Sequence, residues 1–374
     1  MKSNIKVIHI ADKFGVKNSS VHGVSRLFSW WMPRFDRDRY DVRLIGLRKP
    51  DEATKNLRDQ GINITSLSKG KFDFSVIKNI VQIVRKEKTD ILHLHGYGAT
   101  NFGRIASRIA KVKNIVHEHF VDPNMPKYQI PFDWFLSPYT NLGMANCTAV
   151  KEFMVKKRFL PKQKVRVIFN GVPIHEFKPL EDGIVMAERK RWGIPEGYKI
   201  VATIGRLDEQ KGNKYFLDAA EKLLKKGHKV KFLIVGDGPL LNELQEQCNR
   251  YNIEKDVIFT GYHENIPLML NMLYMLVIPS LWEGTTLTVF EAMSMKLPIV
   301  STYVDGLGEV LRHEDNAILV NPMDSKGLAI AIERILNDEQ KAEQIAAKAY
   351  KDSYDFDIQR TVDQLQNVYD ELMN

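Results

Sequence analysis

Short apolar runs recur along the chain, each closed by charged or turn-forming residues, with longer stretches of helical spacing between them. In the first half the runs fall at 6–10, 41–47, 62–67, 90–94, 144–150 and 165–169. In the second half they fall at 199–204, 232–235, 257–260 and 274–279, with another from Pro298. Runs of this kind predict strands. Amphipathic periods starting near Val24 and covering 74–84, 327–336, 339–350 and 357–373 predict helices. Strands alternating with helices predict a parallel, doubly wound sheet. The alternation runs twice. Pro179, Glu181, Asp182 and Gly183 cluster between the two rounds as linker residues do.

A length of 374 residues suffices for two cores, and 44% apolar content fits a globular protein rather than a disordered one. Cys147 and Cys248 fall in different expected domains, which argues against a disulfide framework and for a reducing compartment. The opening MKSNIKVIHIADK has an apolar run too short and too interrupted by charge for a signal peptide. No window reaches the roughly 18 apolar residues of a membrane-spanning helix, so a cytoplasmic protein is expected. The net charge of +8 is unevenly placed: residues 1–178 hold 32 Lys and Arg against 15 Asp and Glu, and the remainder 22 against 31. Such a basic half suits nucleic acid, an anionic membrane or a phosphorylated substrate. No zinc-finger, RNP-like or arginine-rich motif accompanies it, so nucleic acid is not an expected partner. Aromatic and basic residues stand together at Phe28, Trp30, Trp31 and Arg34, and again at Lys156, Lys157, Arg158 and Phe159. Exposed, they would hold the first half on the inner face of an anionic membrane; the plain alternative puts the tryptophans in the core.

Candidate chemistry is densest in 278–300, IPSLWEGTTLTVFEAMSMKLPIV. Glu283 follows a strand-like run, and open α/β sheets bind ligands at the carboxyl ends of their strands. A helix from about Thr286 would bury Leu287, Phe290 and Met293 with Glu291 near them, and a buried carboxylate needs a partner. Two such carboxylates can grip two ends of one polar ligand. Read plainly, they are a loop cap and a solvated helix residue. In GRLDEQKG at 205–212, Arg206 and Lys211 suit a diphosphate, the guanidinium forking onto two oxygens and the ammonium acting as a point charge. Ser19, Ser20 and Gly23 suit a loop turning into a helix whose amino end attracts an anion. The turn at 236–239 lacks the lysine and serine of a P-loop. Asp36-Arg37-Asp38 spells D-x-D, yet its flanking arginines point to a solvated turn. His93 with His95, and His117 with His119, share strand faces and so could frame a zinc site. Neither a cysteine nor a legible second shell supports that, so histidines lining a cleft, and no metal, are the expectation.

The wording EG-TTLTVFEAM followed by LPIVST-YVDGLGE resembles the donor-site signature of retaining GT-B glycosyltransferases, of the family 4, group 1 type. The resemblance continues in 205–212 (G-R-x-x-x-x-K-G), in the run from Asn114 to His119, in Asn170-Gly171-Val172, in Gly261-Tyr262-His263 and in the turn 305–309. It implies two Rossmann-like domains facing each other across a cleft, residues 1–178 and 179–356, with a last helix at about 357–374 returning to the first. The implied reaction moves a sugar, with retention, from a nucleoside-diphosphate donor (UDP favoured) to the hydroxyl of a sugar or lipid-linked sugar. Neither metal nor cofactor is implied. The catalytic roles would fall to His119, Glu283, Arg206 and Lys211. Donor contacts would come from Gly23, Gly205, Gly261, Tyr262, Gly284, Thr285, Thr286, Leu287, Glu291, Gly306 and Glu309. Whether His117 or His119 faces the cleft stays open. His22 replaces one of the paired glycines usual in the family, and Thr285 and Thr286 replace an apolar residue and proline. A nucleotide-sugar epimerase and a non-catalytic nucleotide-sugar-binding protein are the alternatives on the same architecture.

Overall fold

Seven parallel strands form the first sheet of the computed structural model, which describes residues 4–15 and 23–374. They are β1 (Ile5–Ala11), β2 (Tyr40–Gly46), β3 (Ile64–Ser66), β4 (Ile91–His95), β5 (Lys113–Glu118), β6 (Leu142–Ala145) and β7 (Val165–Val167). Their order is β3-β2-β1-β4-β5-β6-β7. Helices cover the sheet, so its central strands are buried on both faces and read as continuous apolar runs. Every residue of β4 is buried, including His93 and His95. Ile8, Ile10, Leu92 and Leu94 pack against Val76, Ile80 and Val84 of the helix Ser75–Glu87, each worth about 1.5–3 kcal/mol of transfer free energy.

The second sheet has six parallel strands: β8 (Lys199–Ile204), β9 (Val230–Val235), β10 (Val257–Gly261), β11 (Met275–Ile278), β12 (Ile299–Thr302) and β13 (Ile318–Val320). Their order is β10-β9-β8-β11-β12-β13. Both sheets are thus doubly wound as the alternation predicts. In each, the chain reverses its direction of winding between two central strands, β1 and β4 in the first and β8 and β11 in the second. Such a switch point leaves a crevice at the strands' carboxyl ends.

The contacts divide the chain into Met1–Gly171 with Ile358–Asn374, and Val172–Asp357. The expected linker, 178–183, lies inside the second unit, where a helix spans Asp182–Arg191. The last helix, Ile358–Met373, packs on the first unit through Ile358, Val362, Leu365 and Tyr369, the spacing of one helical face. Two polar contacts fix it there: Tyr40 Oη donates to Asp370 Oδ1 at 2.8 Å, and Asp36 N donates to Gln366 Oε1 at 2.8 Å. Asp36-Arg37-Asp38 is an exposed turn, Asp38 N donating to Asp36 Oδ1. Cys147 and Cys248 are buried thiols in different units.

One surface expectation fails. Phe28, Trp30 and Trp31 are buried, the helix Gly23–Trp31 turning them onto the sheet. Arg158 is buried as well, held by Glu118 and Asp133, so only Lys156, Lys157 and Phe159 of the second basic segment reach solvent. No helix among the described residues is long and apolar enough to cross a membrane.

Candidate active site

Glu283 is the knot of the second unit. It lies in the loop after β11, and the loop after β8 is tied to it: Lys211 Nζ sits 2.5 Å from Glu283 Oε1, and Gln210 Nε2 3.2 Å from Oε2. Ser280 Oγ donates to Oε1 at 3.0 Å, and Gly306 N, from the loop after β12, donates to the Glu283 carbonyl at 3.3 Å. The two loops at the switch point are also laced by backbone, Leu281 N donating to Gln210 O at 2.7 Å. Gly212 makes this approach possible. Its φ is +63°, and a Cβ there would stand 2.0 Å from the Pro279 carbonyl oxygen. Gly236 has the same duty between β9 and β8, where a Cβ would meet Gly205 O at 1.9 Å.

Arg206 differs from Lys211. Its side chain is 56% exposed and meets Asp208 Oδ2 only at 3.7 Å, leaving the guanidinium open to a ligand. The Lys211 ammonium is mostly buried and already neutralises Glu283. Glu291 is fully buried on the helix Leu287–Ser294, all eight of whose residues are buried, so the solvated reading of that glutamate is excluded. Gly284 and Thr285 are buried ahead of it, and Thr286 stands at the position capping the helix. Gly261 closes β10 with its carbonyl accepting from Gly236 N at 2.8 Å. Tyr262 follows it half-buried, and Glu309 is exposed beyond the turn 305–308. These groups all lie after the carboxyl ends of parallel strands.

In the first unit the switch point carries a chain of imidazoles. His95 Nδ1 lies 2.9 Å from His119 Nε2, and His95 Nε2 lies 3.0 Å from His9 Nδ1. His9 Nε2 meets Tyr369 Oη at 3.0 Å, and the same hydroxyl meets His93 Nδ1 at 2.8 Å. His93 Nε2 then lies 3.0 Å from His117 Nδ1. The three linked pairs of rings are tilted by only 11–23° with centroids 5.1–5.2 Å apart, which is the distance of edge-to-edge contact. A neutral imidazole has one N–H and one lone pair, so each linkage is one hydrogen bond. The sequence His119–His95–His9–Tyr369–His93–His117 is therefore a single file with two polarities, every proton pointing one way or the other. Burial drives the His9 pKa down to about 3 and those of His93, His95 and His117 well below the usual value, so the interior rings are neutral. The nitrogens of His9, His93 and His95, and of His95, His117 and His119, also cluster closely enough to be considered for a metal ion. The file engages both ring nitrogens of His9, His93 and His95, while the buried His117 Nε2 makes no hydrogen bond among the described residues.

His117 and His119 stack with centroids 4.2 Å apart, so neither is turned away from the other. They are the two ends of the file, His117 buried and His119 half-buried. Gly23 is the first residue of its helix and is exposed; Ser19, Ser20 and His22 lie outside the described residues. Four participants were not singled out by sequence: His9, Tyr369, Gln210 and Ser280. His9 pairs in register with His93 across β1 and β4, a signal available once the strands are aligned.

Two family models match the chain. Residues 186–352 match "Glycosyl transferases group 1" and residues 21–176 match "Glycosyltransferase Family 4". The chain belongs to the group 1, family 4 glycosyltransferases. Among curated relatives, the Escherichia coli UDP-Gal:alpha-D-GlcNAc-diphosphoundecaprenol alpha-1,3-galactosyltransferase is 28% identical, over 98% of this chain and 97% of its own. The Bacillus anthracis N-acetyl-alpha-D-glucosaminyl L-malate synthase is 24% identical over 80% and 79%. Among solved structures, Anabaena HepE in complex with UDP and glucose superposes with a TM-score of 0.86 at 22% identity, over 98% of this chain and 100% of that one. The fold of this glycosyltransferase is accordingly GT-B, with two Rossmann-like domains.

Proposed function

We propose that this glycosyltransferase moves a hexose from a UDP-sugar to a hydroxyl of a polyprenyl-diphosphate-linked sugar, with retention, in polysaccharide or glycolipid synthesis at the inner face of an anionic membrane. The observation that carries the reading is the switch point of the second sheet. There Lys211 pairs with the buried Glu283, Arg206 stands open on the same loop as Lys211, and the helix after Glu283 carries the buried Glu291. The full-length match to a transferase whose name gives a UDP-sugar donor and a diphosphoundecaprenol-linked acceptor supports the substrate class.

In this reading the C1–oxygen bond of the donor breaks with its electron pair passing to the β-phosphate, which leaves as UDP. The acceptor oxygen bonds C1 from the same face, and its proton goes to the departing phosphate oxygen. Charge then grows at two places. Arg206 and Lys211 stabilise the phosphate, as preorganised cations at a strand end do without reorganising. Glu283, held by Ser280 and Gln210, stays on the sugar side as positive charge develops there, and Glu291 accepts from the ribose hydroxyls. His119, fixed by His95, positions the sugar. No side chain acts as covalent nucleophile; Arg206 offers its open charge to the donor phosphate and Lys211 shares its ammonium between that phosphate and Glu283, so the reading calls for no metal.

The test is release of UDP from a panel of UDP-, GDP- and ADP-sugars, with and without a polyprenyl-diphosphate-linked acceptor, in the presence of a chelator. Acceptor-dependent release from a UDP-hexose, with an α-linked product by NMR from an α-linked donor, is expected. Release only from GDP- or ADP-sugars, an inverted product, or loss of activity on chelation would overturn the corresponding part.

A further inference from the structure

The helix Gln129–Leu136, sequence QIPFDWFL, is folded inside out. Its buried face is Gln129, Asp133 and Leu136, one helical stripe of which two members are polar. Gln129 and Asn101 exchange two amide hydrogen bonds of 2.9 Å. Asp133 is wholly buried between two guanidiniums, Arg104 Nη2 at 2.6 Å and Arg158 Nε at 2.6 Å. With the polar stripe locked inward, the apolar side chains have only the outside left. Trp134 is 67% exposed and Phe135 62%, with Ile130 and Phe132 also exposed. A surface helix ordinarily does the reverse, and a contiguous apolar face of this kind marks a place that something covers.

Cations frame the face at both ends. Beyond the first turn, Phe72 and Tyr128 pack edge to face at 6.0 Å, and Lys71 Nζ lies about equally over both rings, at 5.5 and 5.6 Å. Beyond the last turn, Phe135 meets Tyr139 at 6.2 Å, and Arg108 stacks on Tyr139 at 5.4 Å. Exposed Lys156 and Lys157 end the neighbouring helix Thr148–Lys157, two residues before exposed Phe159, whose carbonyl accepts from Ser137 Oγ. The acidic residues nearby are engaged: Asp73 faces Lys69 at 3.7 Å, Glu152 pairs with Lys156, and Asp122 accepts from Tyr97. Aromatic rings flanked by lysine and arginine match the headgroup zone of an anionic bilayer, apolar atoms below and phosphates around them.

We infer that the outward face of Gln129–Leu136, with its cationic ends, docks this glycosyltransferase on an anionic lipid bilayer. This deepens the acceptor reading above by naming the surface that brings the enzyme to a lipid-linked substrate. It replaces the tryptophan pair at 30 and 31 with an aromatic set that is actually at the surface. Apolar area gives the depth of insertion and the basic residues the preference for anionic lipid, so salt weakens binding but does not abolish it.

Flotation of the full chain with vesicles, without donor or acceptor, tests this. The protein is expected to float with phosphatidylglycerol-containing vesicles and not with phosphatidylcholine alone, with a blue shift of tryptophan emission. The double variant Trp134→Ser, Phe135→Ser should lower partitioning by about tenfold or more while leaving UDP binding and thermal unfolding unchanged. Trp134→Phe should keep flotation and lose the blue shift. Wild-type protein that stays at the bottom with anionic vesicles, or a double variant that floats like wild type, overturns the inference. So does a wild-type dimer that the double variant dissociates, without flotation, which would assign the face to a second copy. Floating protein that transfers no sugar sinks the reading of the reaction instead, and transfer to detergent-dispersed acceptor without flotation sinks only the surface.

Discussion

Acid should unfold the first unit, and the histidine file says how steeply. His9, His93, His95 and His117 are neutral in the fold because burial depresses their pKa values. In the unfolded chain each titrates near 6.5. A depressed histidine stabilises the fold above its unfolded pKa and loses that contribution as pH falls below it. By about pH 5.5 the unfolded state therefore holds close to four protons that the fold refuses. Two carboxyls of this unit work the other way, both raised by burial: Asp12 and, more strongly, Glu118. Glu118, in the same unit, has its pKa pushed up to about 7, chiefly by burial and against the pull of Arg158. It takes a proton in the fold before it does in the unfolded chain, returning about one proton on acidification. The net difference is roughly three protons, or a slope near 4 kcal/mol per pH unit below about pH 6. A domain holds only about 5–15 kcal/mol in all, so protection should collapse near pH 5. Hydrogen exchange of peptides covering β1, β4 and β5, corrected for intrinsic rates and followed against urea between about pH 7.5 and about pH 5.5, measures the slope. Stability that is flat across that interval would refute the neutral-file assignment, whatever the activity does.

Three more outcomes follow from the same contacts. Arg206→Ala should weaken UDP binding by roughly 10- to 150-fold with little change in thermal stability, because its guanidinium is exposed and unclasped, whereas Lys211→Ala should lose affinity and also about 1–3 kcal/mol by stranding Glu283; calorimetric titration and thermal melts separate the two, and equal stability losses would contradict the assignment. Glu291→Gln should chiefly raise the Kd for UDP, while Glu283→Gln should chiefly lower kcat; the reverse pattern in steady-state kinetics would exchange their roles. Tyr369→Phe removes the hydroxyl that joins His9 to His93, and should cost about 2–4 kcal/mol in urea unfolding by leaving two buried nitrogens short of a partner, a loss under about 0.5 kcal/mol being incompatible with a continuous file.

The second sheet was readable because its strands are what parallel strands must be. Continuous apolar runs such as KIVATI have no polar face to confuse their assignment, and β8 spans 199–204 as the pattern predicts. Edges were harder. β3 is three residues long, Ile64–Ser66, because only those residues reach the ladder with β2, although the apolar run around it is longer. Asp182 and Gly183, which cluster with linker residues in the sequence, instead open the helix Asp182–Arg191, which buries no residue and so has no apolar face to betray it. At the site, Arg206, Lys211 and Glu283 were legible from type and spacing, but their hierarchy was not. That Lys211 is clasped and Arg206 open depends on the meeting of two loops some seventy residues apart, which no local window contains.

The histidine file and the inverted helix share one reason for their invisibility. Periodicity arguments assume that polar residues seek water, and both features break that assumption with partners far along the chain. His9 finds its hydrogen-bond partners on β4 and on the last helix, and Asp133 finds its guanidiniums on the helix Tyr97–Ala110 and next to the helix Thr148–Lys157. Once Asp133 is satisfied inside, the cost of burying it is offset, and the same hydrogen bonds force Trp134 and Phe135 out. An exposed tryptophan in this protein is thus the consequence of a buried aspartate rather than of local sequence. It follows that weakening the interior should change the surface. Asp133→Leu would let the 129–136 helix turn its aromatic side inward, so vesicle binding should fall in that variant even though every aromatic residue remains.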